Sequence, residues 1–201
     1  LLVQLFIQLI PFVIFEPAKA EYRQLKCLRR NCSRAIRRLA RELRIYTPGN
    51  DRISAMRFNP LRRLAQVSLD QHIENLLNCF QAAMPMFPAF LGLLGEALEL
   101  VFEWHPDPAD PPDMTEVCAA AEEVLAAKRY SGEVHSNLRA AIEVRLGALI
   151  RRGMGRVFSG GPDHPSISEL AEGYHLFELA YLTVEHGSLL TLFLLTRLRE
   201  Y

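Results

Sequence analysis

The sequence lacks most of the short strings that announce a chemistry. It has no Cys-x-x-Cys, no His-x-x-x-His and no cysteine with a histidine at ligand spacing, so no zinc site is expected. Four cysteines, Cys27, Cys32, Cys79 and Cys118, are too scattered to frame a chain of 201 residues with disulfides; they read as reduced thiols packed as small apolar groups. No Gly-x-Ser-x-Gly elbow is present, which argues against serine hydrolase chemistry. Nor is there a Gly-x-x-x-x-Gly-Lys-[Ser/Thr] loop; Gly153/Gly155 and Gly160/Gly161 precede no Gly-Lys. Net charge is lacking too, with 23 basic and 23 acidic residues, so nothing global points to a polyanionic partner.

Long apolar runs are equally scarce. The candidate, Leu1 to Phe15, contains Gln4, Gln8 and Pro11, and falls short of the roughly 20 helical residues a bilayer requires. It has neither a basic leader nor a small-residue cleavage site. Membrane anchoring would need that run to continue upstream, and a cytoplasmic protein is the expectation. The chain starts at Leu1 rather than Met and stops at Tyr201 on an apolar helix, so both ends are expected to continue.

What is present is an apolar half of the composition, enough for a sizeable core, in strongly uneven segments. Lys19 to Arg44 holds ten basic residues against Glu21 and Glu42, whereas His105 to Glu123 holds six acids and no Lys or Arg. Periodicity predicts a helix over Leu1–Leu9 and a doubly covered strand over Phe12–Phe15. A basic helix over Tyr22–Glu42 follows, then strands over Leu43–Tyr46 and Ile53–Phe58. Ser68 and Gln71 predict a capping box for a helix running to about Met84. Phe87–Trp104 reads as an apolar helix, Asp113-x-x-Glu116 caps another to Ala127, and Gly132 opens one to about Arg152. Ser166-x-x-Glu169 caps a short helix, Leu176–Leu182 reads as a strand, and Gly187–Tyr201 as a closing helix. Strand–helix–strand in front, helices in the middle and strand–helix behind describe an α/β protein with a helical insertion.

Several segments carry a family resemblance. Ile10-Pro11-Phe12-Val13-Ile14-Phe15-Glu16-Pro17-Ala18-Lys19-Ala20-Glu21-Tyr22-Arg23 resembles the strand after the phosphate-binding helix of HerA/FtsK-like ATPases. Tyr46-Thr47-Pro48-Gly49-Asn50, Arg57-Phe58-Asn59-Pro60-Leu61 and Val67 to Ile73 are similar to later segments of that family. Tyr130-Ser131-Gly132-Glu133-Val134 with Leu138 to Leu146 resembles its Arg-bearing helix. The order and spacing of these pieces from Ile10 to Tyr201 carry the resemblance. It implies a partial P-loop NTPase (RecA-like) core: a front part over 1–66, a helical insertion over 67–165 and a return to the core over 166–201. It also implies a parent that uses ATP and magnesium to move along DNA as a ring of like subunits. With neither the phosphate loop nor the acidic metal-binding strand within it, this piece alone is expected to be inactive. The alternative is a non-catalytic, mostly helical interaction module descended from an ATPase.

The site residues follow from both lines of reasoning. Glu16 closes a buried strand, where ligands of open α/β sheets collect, and is expected to hold the attacking or a magnesium-bound water, unless it is an ordinary acid before Pro17. Lys19 and Glu21 are cofactor-binding candidates, or else a solvated ion pair. Arg145 falls within an apolar stripe set by Leu138, Ile142 and Leu149, about 20° from Leu138. It either pairs with a buried acid or reaches a neighbouring subunit's nucleotide as an arginine finger. Arg30, Arg34, Arg37, Arg38 and Arg41 recur at helical spacing as a stripe suited to DNA phosphates or to water. Arg151, Arg152 and Arg156 sit among glycines and face a partner or solvent.

Overall fold

The computed structural model describes residues 1–27, 33–130, 132–159 and 162–201. In chain order the elements are α1 (Leu2–Ile7), β1 (Phe12–Glu16), a 3-10 turn (Tyr22–Cys27), α2 (Arg34–Glu42) and β2 (Arg44–Tyr46). Next come α3 (Leu69–Ala83), α4 (Pro88–Trp104), α5 (Met114–Ala127) and α6 (Gly132–Ala141). A π turn (Ile142–Leu146), α7 (Gly147–Leu149), α8 (Arg152–Val157), α9 (Ile167–Glu172), β3 (Tyr174–Glu178) and α10 (Val184–Glu200) complete the chain. The protein is mixed α/β, rich in helix, with one small sheet.

That sheet is parallel throughout and ordered β1-β3-β2, so the last strand in sequence is the central one. Alternation along the strands divides two cores. Phe12, Leu43 and Leu176 face a small cluster closed by Phe6 of α1 and Leu39 of α2. Tyr46 and Phe177 face the opposite way, into a large core shared with α3 to α6 and α10. His175 points the same way, stacking beside Tyr46, and β3 is therefore buried on both faces.

The helices form where local chemistry favours them. Buried residues on α4 recur as Phe90, Leu93, Leu94, Ala97, Leu98, Val101 and Phe102, one continuous face, with Pro88 in the first turn where its missing N–H does no harm. Ala120 and Ala121 of α5 are fully buried and small, which lets α4 and α5 approach closely. Asp113 with Glu116, and Ser166 with Glu169, form complete capping boxes. At α3 only half of the predicted box forms. Ser68 accepts from Gln71 N–H, but the Gln71 amide donates to Asn75 instead of reaching back.

Four predicted elements differ. One is the helix expected from Gly132 to about Arg152, which is divided into α6, the π turn and α7 and ends at Leu149. Ile53–Phe58 is not a strand. The Thr47 hydroxyl bonds Ser54 through both its N–H and its carbonyl, closing the 47–54 turn, and Arg57 makes a single antiparallel bridge to His164. Met56 and Phe58 still point inward, so the alternation reports core insertion rather than sheet pairing. The basic segment is not one described helix: Tyr22–Cys27 is a 3-10 turn and α2 starts anew behind the Ser33 cap. The third strand begins two residues early and yields at Leu179 to a 3-10 turn.

The Asn59-Pro60 segment is a structural hub. Asn59 N–H donates to Asp163, its side-chain amide to the Pro112 carbonyl, and its own oxygen accepts from Leu61 N–H. Arg197 of α10, buried, donates to the carbonyls of Asn59 and Pro60 and lies over the Phe58 ring. Burial lowers the Arg197 pKa, and nearby Asp163 opposes that shift. Among the described residues no helix is long and apolar enough to cross a membrane.

Candidate functional site

Parallel register sets Glu16 beside Glu178 at the carboxyl ends of β1 and β3. Neighbouring strands lie about 4.8 Å apart, so two carboxyl groups share one spot. Both are buried, Glu16 6% and Glu178 0% exposed. Their side chains share the parity of Phe12 and Leu176 and leave the sheet on the side of the small core.

Two devices hold this pair. Glu16 Oε1 accepts the Glu21 N–H at 2.5 Å, after a turn in which Ala20 adopts a left-handed φ of 50°. Arg23, carried by the 3-10 turn, closes a two-pronged contact on Glu178: Nε to Oε1 at 2.8 Å and Nη2 to Oε2. That hydrogen bonding raises the Arg23 pKa above the ordinary guanidinium range. Among the described residues, nothing bonds the buried Glu16 Oε2. A buried carboxylate oxygen without a donor is unfavourable, so this atom is the available acceptor of the site. It can take a hydrogen bond from water or from the water shell of a cation.

On the opposite face, at the same sheet end, Phe15 stacks on Phe177 with ring centroids 5.4 Å apart. A cavity of about 400 Å³ opens beside them, walled by Phe15, Pro17, Leu179, Leu182, Val184 and Leu192. The sheet end therefore presents an acidic side and an apolar side. Among the described residues no group of three His, Cys, Asp or Glu could hold a metal ion.

The remaining sequence candidates are dispersed. Lys19 and Glu21 form a 3.9 Å ion pair with 78% and 66% of their side chains exposed, an arrangement worth little. Glu21 serves the site through its backbone N–H, not its carboxylate. Arg145 is half-buried, and among the described residues it meets no buried acid; nor does it take its place in the stripe assigned to it. The reason is the π turn, in which Gly147 N–H bonds the Ile142 carbonyl, five residues back. One extra residue per turn delays the helical phase by about 100°. Leu146, fully buried, takes the inward position that Arg145 would occupy in a regular helix.

On α2, Arg34, Arg37 and Arg41 are exposed, and Arg38 is tied to Glu42 at 2.6 Å and lies over Phe6. Arg30 and Cys32 lie outside the described residues, as do Gly160 and Gly161. Cys27, Cys79 and Cys118 are free thiols; burial raises the pKa of the last two.

Sequence reasoning missed Glu178 and read Arg23 only as part of the basic helix over Tyr22–Glu42. A signal existed for the first: the Phe-Glu pair of Phe15-Glu16 recurs as Phe177-Glu178. For Arg23 no local signal exists, because its partner is 155 positions away. No protein-family model matches this chain, and no curated protein matches it.

Proposed function

We propose that the chain is part of an α/β ATPase of the HerA/FtsK-like DNA-translocase class, contributing the acidic sheet end of a nucleotide pocket. The observation that carries this is the buried, unpartnered Oε2 of Glu16, set beside Glu178 at the carboxyl edge of a parallel sheet. Ligands of open α/β sheets bind at such edges, and a fixed acceptor there suits a water attacking a phosphoryl group. Segment order from Ile10 to Tyr201 supports the same class.

The fit to ATP and magnesium is partial. The chain supplies an acceptor held by the Glu21 N–H, with the Arg23–Glu178 pair beside it, but no loop of backbone N–H groups to cradle phosphates. That loop, the metal-binding acid and the ring of subunits belong to the parent in this proposal. Exposed Arg34, Arg37 and Arg41 would follow DNA phosphates, and half-buried Arg145, which has no acid partner among the described residues, would reach across a subunit boundary.

The test starts with the encoding DNA, read upstream of the Leu1 codon in the same frame. A Gly-x-x-x-x-Gly-Lys-[Ser/Thr] string within roughly 10–25 codons is the expected result. ATP turnover by the full-length protein should then fall about a hundredfold in Glu16→Gln, with nucleotide binding retained. Unrelated upstream sequence would replace this reading with a non-catalytic helical interaction module, and turnover indifferent to Glu16 would remove this sheet end from the nucleotide pocket. The 201 residues alone are expected to show no turnover.

A further inference from the structure

We propose that His105 is a pH-operated latch: protonated, it holds the proline-rich strap of residues 106–112 down on an apolar pocket, and it releases the strap as pH rises. This goes beyond the ATPase reading and uses none of its residues, so each can fail without the other. The strap runs from the end of α4 to the Asp113 cap of α5. Residues 106–110 are all exposed, whereas Pro112 is buried and its carbonyl accepts from the Asn59 amide. Among the described residues, the hydrogen bonds that tie 107–110 to the rest of the fold all end on His105. The others, Ala109 N–H to Asp107 Oδ1 and Asp110 N–H to the Asp107 carbonyl, stay within the strap.

The ring is placed for a cation. Nδ1 lies 3.1 Å from the Asp110 carbonyl oxygen and 3.3 Å from Asp110 Oδ2, and Nε2 lies 2.7 Å from Glu116 Oε1. A carbonyl and an ionised carboxylate only accept. Neutral imidazole has a single N–H, so one of its two sides would then set a lone pair against an oxygen; imidazolium donates on both. Glu116 is itself fixed, since its Oε2 takes the Asp113 N–H in the capping box and leaves Oε1 for the ring. His105 also caps the carboxyl end of α4, a helix of 17 residues, where positive charge is favoured.

The surrounding charges agree. The Glu116 hydrogen bond raises the His105 pKa above its ordinary value, partly offset by burial, and Asp110 adds to the rise. The Asp110 carboxylate is 81% exposed and adds little as an ion pair, so the strap is gripped through its carbonyl. Asp107 and Arg63 line the same pocket, the first favouring the proton and the second opposing it while donating to the Val67 carbonyl. With the folded pKa raised, the latch contributes fully below pH 6.5 and is lost as pH rises through the folded value.

Leu61 and Phe102, both buried, line the pocket with Leu69 and the strap prolines. The enclosed space is about 90 Å³, well below the size of a small-molecule site, so the pocket is shut while the strap is down. Release uncovers this apolar floor.

NMR of the 201-residue chain between about pH 5 and 9 tests the latch. The His105 ring is expected to titrate with a midpoint above 6.5. The Ala109 and Asp110 amides and the Leu61 and Leu69 methyls should shift with that same midpoint. At about pH 6, hydrogen exchange of the two amides should be roughly tenfold faster in His105→Gln, and this difference should vanish above the midpoint. Glu116→Gln, which can still complete the capping box, should lower the midpoint. A midpoint at or below 6.5 would overturn the proposal, as would strap amides or floor methyls that ignore it. Equal exchange with and without the imidazole below the midpoint would overturn it too. Should His105→Gln not fold, Glu116→Gln carries the exchange comparison.

Discussion

The helical block and the sheet end are built on opposite plans. In the block, α3 to α6 and α10 bury Phe80, Phe90, Leu94 and Leu98 completely, and α3, α5 and α10 each start behind a side-chain cap that bonds an N–H three residues on. At the sheet end, three charged residues from distant parts of the chain meet in a confined space: Glu16, Arg23 and Glu178. Stability in the first comes from apolar area and accumulates residue by residue. In the second, one partner's absence leaves another buried and unsatisfied. The difference teaches where strength and chemistry lie: the block holds the molecule, and the sheet end keeps an uncompensated acceptor.

The largest effect should come from the block. Phe90→Ala, at a fully buried position facing α3 and α5, is expected to lower unfolding free energy by about 3–5 kcal/mol in urea denaturation. A loss below about 1 kcal/mol would mean that the block is not a close-packed core.

Next comes the response to acid. Burial, helped by Arg197, lowers the His72 pKa to about 4, so the folded block keeps this imidazole neutral. The unfolded chain takes up a proton near pH 6.5. Between pH 6.5 and about 4 the unfolded state therefore binds more protons, and stability falls as pH falls, by roughly 2–3 kcal/mol. In His72→Gln that share of the acid slope should vanish in denaturation curves across this window. An unchanged slope would show that His72 is hydrated.

The smallest effect should be at the sheet end. Glu178→Gln weakens the Arg23 clasp, but Arg23 keeps 39% of its side chain in water and the neighbouring carboxyl loses a competitor. A loss of about 1–2 kcal/mol is expected, at the low end for a buried pair. A loss matching Phe90→Ala would erase the contrast between the two regions.

This contrast also explains what could be read without the fold. Asp113 with Glu116 and Ser166 with Glu169 were legible because the groups that bond lie three residues apart. Strands ending at Glu16 and Tyr46 were legible as apolar runs stopped by Pro17 and by Thr47-Pro48-Gly49. The Ile53–Phe58 alternation misled, since core insertion and strand pairing impose the same period of two. Arg145 misled because phase was carried through a turn that is not α-helical. Glu178 and Arg23 required the register of β1 on β3, a fact about topology that no window of neighbours contains.

The π turn at Ile142–Leu146 has a consequence for how this chain tolerates change. A helix carrying one surplus residue is a stretch whose length can be edited. Deleting one residue there, for example Val144, which is 69% exposed, would let the segment close into an ordinary α-helix. Everything before Ile142 and after Gly147 would keep its facing. An identical deletion in α4 would turn half of that helix's apolar face to water. Insertions and deletions in this molecule are therefore not equal by length but by address, and this bend is one address where the count is negotiable.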